Sequence, residues 1–281
     1  MPNVLVIANE TVGGQALLDA ALSRHKQDPS THFHLVVPLT RPRSGLVIYD
    51  DALRNGAQVR VDLAATVMRG HGIDISGDVG DGDPFLAATD ALRDGTYDEL
   101  IVSTLPVNES RWLGRDLITR LEEETGVPVT HVVTDLQAEG LPFRITLVVA
   151  NRTASDDKLI ARMKEKVAAA SDRDQLFIVV IPQEGGQGHH AGEARARLGN
   201  ALDRMREAGL TVAGMIGDPD PYAATMNALQ FFRVDDVLIS TLPATRSGWL
   251  RQQLIPRVRK ASNIDVEHIE TERAPASTEA A

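Results

Sequence analysis

The chain has 281 residues, 43% of them hydrophobic and 24% charged, a balance that suits a globular protein with enough apolar surface for more than one core. Its 29 basic and 39 acidic residues leave a formal net charge of -10, and without a basic run it is not expected to bind nucleic acid, whose grip comes largely from Lys and Arg on phosphates. The lack of cysteine excludes disulfides, thiolate nucleophiles and Cys-ligated metal centres, while the absence of a ~18-residue apolar run or a signal-peptide pattern makes a cytoplasmic protein with no membrane span the expectation.

Residues 4–8 are a short apolar run ending at Asn9, the pattern of a strand buried on both faces of a parallel sheet. A helix follows over 13–25, with Ala16, Leu17, Ala20 and Ala21 at helical spacing. A second strand, 32–37, stops at Pro38. His32 and His34 share one face of it and could chelate a metal, but no third ligand can be placed. Arg41-Pro42-Arg43 reads as a solvated loop and 57–69 as a helix.

A third strand begins at 73–75 and runs into an acidic tract, Gly77 through Pro84. The tract lacks the glutamate of a calcium loop. Pro84 instead opens a helix that Asp83 caps, with Phe85, Ala88 and Leu92 on one face. The fourth strand, 100–102, leads into Ser103-Thr104-Leu105-Pro106 and then Ser110-Arg111-Trp112-Leu113. This stretch reads as a buried strand end, a proline-forced turn and a helix opening on Ser110, with Leu113, Leu117 and Leu121 as its apolar stripe. Gly126 ends that helix, and a fifth strand fills 128–133.

The same stretch returns 137 positions later as Ser240-Thr241-Leu242-Pro243 and Ser247-Gly248-Trp249-Leu250. Residues 146–151 match 4–9, 177–182 match the second strand, and Gly217-Asp218-Pro219-Asp220-Pro221 matches the segment before the third helix. The chain is therefore expected to be α/β, two tandem doubly wound domains, each a five-stranded parallel sheet with helices on both faces. The expected bounds are 1–138 and 139–272, with a disordered tail over 273–281 rich in Ala, Ser, Thr and Pro. Gly185-Gly186-Gln187-Gly188-His189-His190 lacks the Gly-Lys-Ser/Thr ending of a phosphate loop; it reads as a flexible loop, with the His pair as a weak metal candidate.

This arrangement resembles a tandem universal stress protein, two UspA-type domains in one chain. The resemblance is carried by Val4 to Thr11 and Leu147 to Thr153 at the first strand, by Gly217-Asp218-Pro219, by the segments entering the fourth strand at Asp98 and Asp235, and by Pro128-Val129 and Asp265-Val266 in the last strand. It implies strand order 3-2-1-4-5 and a ligand crevice between the carboxyl ends of strands one and four. Members that bind ATP place an acidic residue after strand one and a glycine-rich loop after strand four. Here Asn9 and Asn151 stand at the acidic position, and Ser-Thr-Leu-Pro replaces the glycines that let N–H groups close around phosphate oxygens.

The resemblance implies a regulatory protein holding ATP, AMP or another small anion. The first site would be Asn9, Thr11, Val37, Asp81, Ser103, Thr104 and Ser110; the second would be Asn151, Thr153, Ile181, Asp218, Ser240, Thr241 and Ser247. The alternative is a nucleotide-free scaffold in which the domains pair through their last strands, with His131 and His268 at equivalent positions, leaving a surface for an unidentified protein partner or a second copy. No enzyme is expected: no Gly-x-Ser-x-Gly elbow, His-Glu-x-x-His pair or Walker motif supplies a nucleophile or metal activator.

Overall fold

The computed structural model describes residues 1–39, 50–113, 116–183, 189–243 and 247–271. The expected loops at 41–43 and 185–188, the tail at 273–281 and the side chains of His189 and His190 lie outside the described residues. The described residues divide between Pro142 and Phe143 into two compact units.

In the first unit, strands β1 (Asn3–Ile7), β2 (His32–Pro38), β3 (Asp74–Gly80), β4 (Glu99–Thr104) and β5 (Val129–Val133) alternate with helices α1 (Gln15–Gln27), α2 (Asp50–Gly70), α3 (Pro84–Asp94) and α4 (Leu117–Thr125). All the pairings are parallel, in the order β3-β2-β1-β4-β5. The second unit has β6 (Phe143–Val149), β7 (Asp174–Pro182), β8 (Thr211–Gly217), β9 (Asp236–Thr241) and β10 (Asp265–Glu270), with α5 (Asp157–Ala169), α6 (His189–Glu207), α7 (Pro221–Phe231), α8 (Gly248–Arg251) and α9 (Leu254–Ser262). Its sheet reads β8-β7-β6-β9-β10, the same order as the first. The α/β class and the 3-2-1-4-5 order are thus present twice.

The continuous apolar runs have the expected cause. Val4 through Ala8 are wholly buried because β1 lies at the centre of its sheet, with helices on both faces. Alternate residues serve the two faces. Val4, Val6, Phe33 and Leu35 pack with the α1 and α2 side chains, whereas Leu5, Ile7 and Val36 pack with Phe85 and Ala88 of α3 and Leu121 of α4. Phe33 and Phe177 are fully buried at matching positions of the two units, each burial contributing about 1.5–3 kcal/mol.

The third helix of each unit is fixed by the Gly-Asp-x-Asp-Pro segment. The carboxylate of Asp83 accepts from the Phe85 N–H at 2.8 Å, and that of Asp220 from the Tyr222 N–H at 3.2 Å, with proline opening both helices. Gly80 and Gly217 end the preceding strands where a Cβ would lie 2.8 Å from Ala87 Cβ and 2.6 Å from Ala224 Cβ. Glycine there lets the helix approach the strand end. Cation–π contacts then pin the third helix to the last: Arg120 lies 3.8 Å from the Phe85 ring centre and Arg257 4.1 Å from that of Tyr222.

The third strand runs on through the acidic tract to Gly80 because β2 offers a partner through Pro38. One expectation needs correction: no single helix opens at Ser110 or Ser247. In the first unit Ser110 Oγ accepts from the Leu113 N–H at 3.4 Å within a turn, and α4 begins only at Leu117. In the second, Ser247 caps the four-residue α8 before α9 begins at Leu254. Between these pieces, Asp116 and Gln253 take left-handed backbone angles, φ 50° and 54°, which break any continuous helix. Leu113 therefore does not share a helix with Leu117 and Leu121.

Candidate functional site

The carboxyl ends of the two central strands, β1 beside β4 and β6 beside β9, open onto one crevice in each unit. The first crevice has a volume of about 40 Å³ and is lined by Asn9, Glu10, Thr11, Ser103, Thr104, Leu105, Glu109, Ser110, Arg111 and Trp112. The second has about 410 Å³, with Asn151, Arg152, Thr153, Pro182, Gln183, Pro219, Ser240, Thr241, Leu242, Ser247, Gly248 and Trp249 around it. Five expected residues meet in each: Asn9, Thr11, Ser103, Thr104 and Ser110, and then Asn151, Thr153, Ser240, Thr241 and Ser247.

Four expected residues do not line these walls. Val37 and Ile181 are completely buried, because their side chains point into the apolar clusters that α1 and α2 make in the first unit and α5 and α6 in the second. Asp81 and Asp218 close tight turns, each accepting from the N–H two residues on, at 2.8 Å in both units.

The repeated Ser-Thr pair is engaged within the protein. Thr11 Oγ1 donates to the Ser103 carbonyl at 3.1 Å, and Thr153 Oγ1 to that of Ser240 at 3.2 Å, tying the loop after the first strand to the fourth. The Ser103 hydroxyl pairs with that of Thr134 at 3.2 Å, and Ser240 with Thr271 at 3.4 Å. Thr104 Oγ1 donates to the Leu105 carbonyl and lies 2.9 Å from His131 Nε2; since its one hydrogen is used, the histidine donates from Nε2. Thr241 and His268 repeat the contact at 2.9 Å. Burial holds both imidazoles below their ordinary pKa; at His268, Glu270 opposes this and Arg259 adds to it. Buried hydroxyls at strand ends must find partners, and these do.

A repeated pair that the motif reading passed over lies behind each crevice. Arg60 of α2 donates to Asn9 Oδ1 at 2.9 Å, and Arg197 of α6 donates to Asn151 Oδ1. Burial pulls the Arg60 pKa down to about 10, against the attraction of Glu10, so the guanidinium keeps its charge at neutral pH. The two arginines are 137 positions apart, the same spacing as the Ser-Thr pair. Extending the repeat through the second helix would have exposed them.

Electrostatically the crevices are opposites. Glu10 occupies the position that Arg152 holds in the second unit, and Arg111 the position of Gly248. In sequence, Glu109 is matched by Arg246. Two carboxylates and one guanidinium thus line the narrow crevice. The wide one has Arg152 and no acid among its described lining residues. The N-terminus of α8 beside the second crevice adds little to its hold on an anion, because that helix is only four residues long. Among the described residues no group of three potential ligands could hold a metal, His32 and His34 included. None of the described helices is long and apolar enough to cross a membrane.

No family model and no curated protein match the chain. Among solved structures it is similar to a universal stress protein from Archaeoglobus fulgidus DSM 4304, at 14% identity and a TM-score of 0.36 over 96% of each chain. It is also similar to an adenylation, ketoreductase and pseudo Asub multidomain structure of a keto acid-selecting NRPS module, at 8% identity and a TM-score of 0.21 over 90% of this chain and 28% of that one. Likenesses this weak establish no kinship. The chemistry of the crevices stands on their own residues.

Proposed function

We propose that this chain is a regulatory protein of the universal stress protein kind that binds a small anionic ligand in the crevice of its second unit. The supporting observation is that crevice itself: about 410 Å³, with Arg152, the Asn151 amide backed by Arg197, and no acid among the described lining residues. A cavity of this size takes a small organic ligand. A nucleotide such as ATP or AMP is the class that the strand-one and strand-four setting suggests. Asn151 can meet a base or ribose edge, while Arg152 supplies charge for a phosphate.

Binding and release are the whole of the proposed activity, with no turnover. Calorimetry on ligand-free protein with ATP, AMP and cyclic dinucleotides is expected to give one binding event per chain with at least one of them. Absence of heat with all three overturns the reading. Steady release of inorganic phosphate from ATP would overturn its non-enzymatic part.

A second reading, a nucleotide-free scaffold built as an intrachain pseudo-dimer, is favoured by one observation. The repeated Ser and Thr hydroxyls are all engaged within the protein, so packing alone accounts for the motif. Co-purification of a defined partner, or a second copy of the chain, with both crevices empty would favour it.

A further inference from the structure

A separate polar constellation lies on the first sheet, where β3 forms the edge beside β2. Asp74, Ser76 and Asp78 alternate along β3 opposite His32, His34 and Val36 of β2, so the pleat sets them on one face, the face that carries α3. His32 Nδ1 lies 2.9 Å from Asp74 Oδ2, and its Nε2 2.9 Å from Ser76 Oγ. Ser76 Oγ is also 2.9 Å from His34 Nδ1. His34 Nε2 faces Asp78 Oδ2 at 3.6 Å, near enough for charge attraction and too far for a hydrogen bond.

Counting hydrogens along this chain is informative. With both imidazoles neutral, His32 spends its one N–H on Asp74, Ser76 must donate to His32 Nε2, and His34 must donate from Nδ1 to Ser76. All three hydrogen bonds are made, but His34 Nε2 then turns a lone pair toward the Asp78 carboxylate. One added proton removes the mismatch. It can sit on His34 Nε2, or on His32 with the serine hydroxyl turned over and His34 in its Nε2–H form. A second proton would place two imidazolium ions on one serine.

We propose that Asp74, His32, Ser76, His34 and Asp78, spanning β2 and the edge strand β3, form one proton-binding unit that takes up a single shared proton. The surroundings agree. Burial lowers the His34 pKa, Asp78 raises it and His32 lowers it further, so a charge on one ring opposes a charge on the other. On the β1 side the neighbours in register are the neutral Asn3 and Leu5. From the end of α3, Tyr97 lies with its ring 6.0 Å from that of His34, and burial, Asp78 and Asp94 hold its phenol above the ordinary value and therefore neutral. The second unit provides a natural contrast: Leu176, Ile178, Thr211, Ala213 and Met215 occupy the five positions, and Phe231 and Phe232 stand where the first has Asp94 and Gly95.

The test is a pH titration of the full chain by 15N NMR of its imidazoles. At alkaline pH His34 is expected as the Nδ1–H tautomer. On acidification both rings should respond to the first proton, with the second entering at least ~1 pH unit lower, as coupled sites do. In Ser76→Ala, His34 should revert to the Nε2–H form and the first proton should no longer be shared, each ring responding to its own step; should that variant fail to fold, His32→Gln should leave His34 a single step above the second step of the native chain. Independent titrations in the native chain, or an Nε2–H His34 at alkaline pH, overturns the proposal.

Discussion

The two crevices share a scaffold and differ in chemistry. In both, a threonine after the first strand bonds to the fourth-strand serine carbonyl, that serine meets a threonine beyond the last strand, and the next threonine meets a histidine. In both, an arginine from the second helix holds the first-loop asparagine. Around this common frame the first crevice carries Glu10, Glu109 and Arg111 with about 40 Å³ of room, the second Arg152 and Gly248 with about 410 Å³. The repetition therefore belongs to the frame that joins the strand ends. The divergence belongs to the walls a ligand would touch, and identical motifs do not make identical sites.

Reversing the sign of a wall residue should break this contrast most strongly. Arg152→Glu is expected to weaken binding of an anionic ligand by roughly 30-fold or more, about 2 kcal/mol, read by calorimetry. Glu10→Arg alone should add no binding, because the first crevice has no room. Glu10→Arg combined with Arg111→Gly should raise the stoichiometry from one to two. If the single Glu10→Arg change already creates a second site, charge and not volume keeps the first crevice closed.

The shared frame should respond alike in both units. Arg60→Met and Arg197→Met each strand an asparagine side chain and should each cost about 1–3 kcal/mol, measured by urea denaturation with spectroscopic probes placed in each unit. Unequal losses would mean that one pair serves its site more than its fold.

Acid should separate the units again. Burial raises the Glu267 pKa, but hydrogen bonds and charge from Arg162 and Lys166 outweigh it and leave the carboxyl below its ordinary 4.5. A depressed carboxyl contributes stability above its unfolded value and loses it as the pH falls through the folded one. The second unit should therefore weaken below about pH 4.5 through this group. The first has Thr130 at that position and should not show that loss. His131 and His268, both lowered by burial, act on both units: the unfolded chain binds their protons first, so stability should decline as the pH falls below 6.5. Thermal melts between pH 7 and pH 4, followed with a probe in each unit, check both signs.

The smallest effect should be a gain. Asp116→Gly and Gln253→Gly relieve left-handed backbone at non-glycine positions and should each stabilise by about 1 kcal/mol, visible as a raised denaturation midpoint. Equal gains would identify the helix break as part of the common frame.

Much of this molecule was legible in the order of its residues. Apolar runs such as 4–8 marked central strands because a strand covered on both faces has no polar side to show. Asp83-Pro84 and Asp220-Pro221 marked helix starts because capping and proline geometry are local. The repeat of Ser103-Thr104 at Ser240-Thr241 pointed to one architecture occurring twice, and the family resemblance implied the five residues that meet in each crevice. Other features required the folded chain. Whether Val37 faces a crevice or the core depends on pleat phase, which burial fixes. The left-handed turn at Asp116 has no glycine to announce it. The Asn9–Arg60 pair, the hydrogen-bonded role of the repeated hydroxyls and the opposite charges of the two crevices all arise from residues far apart in sequence, brought within a few ångströms only by the packing of helices on the sheets.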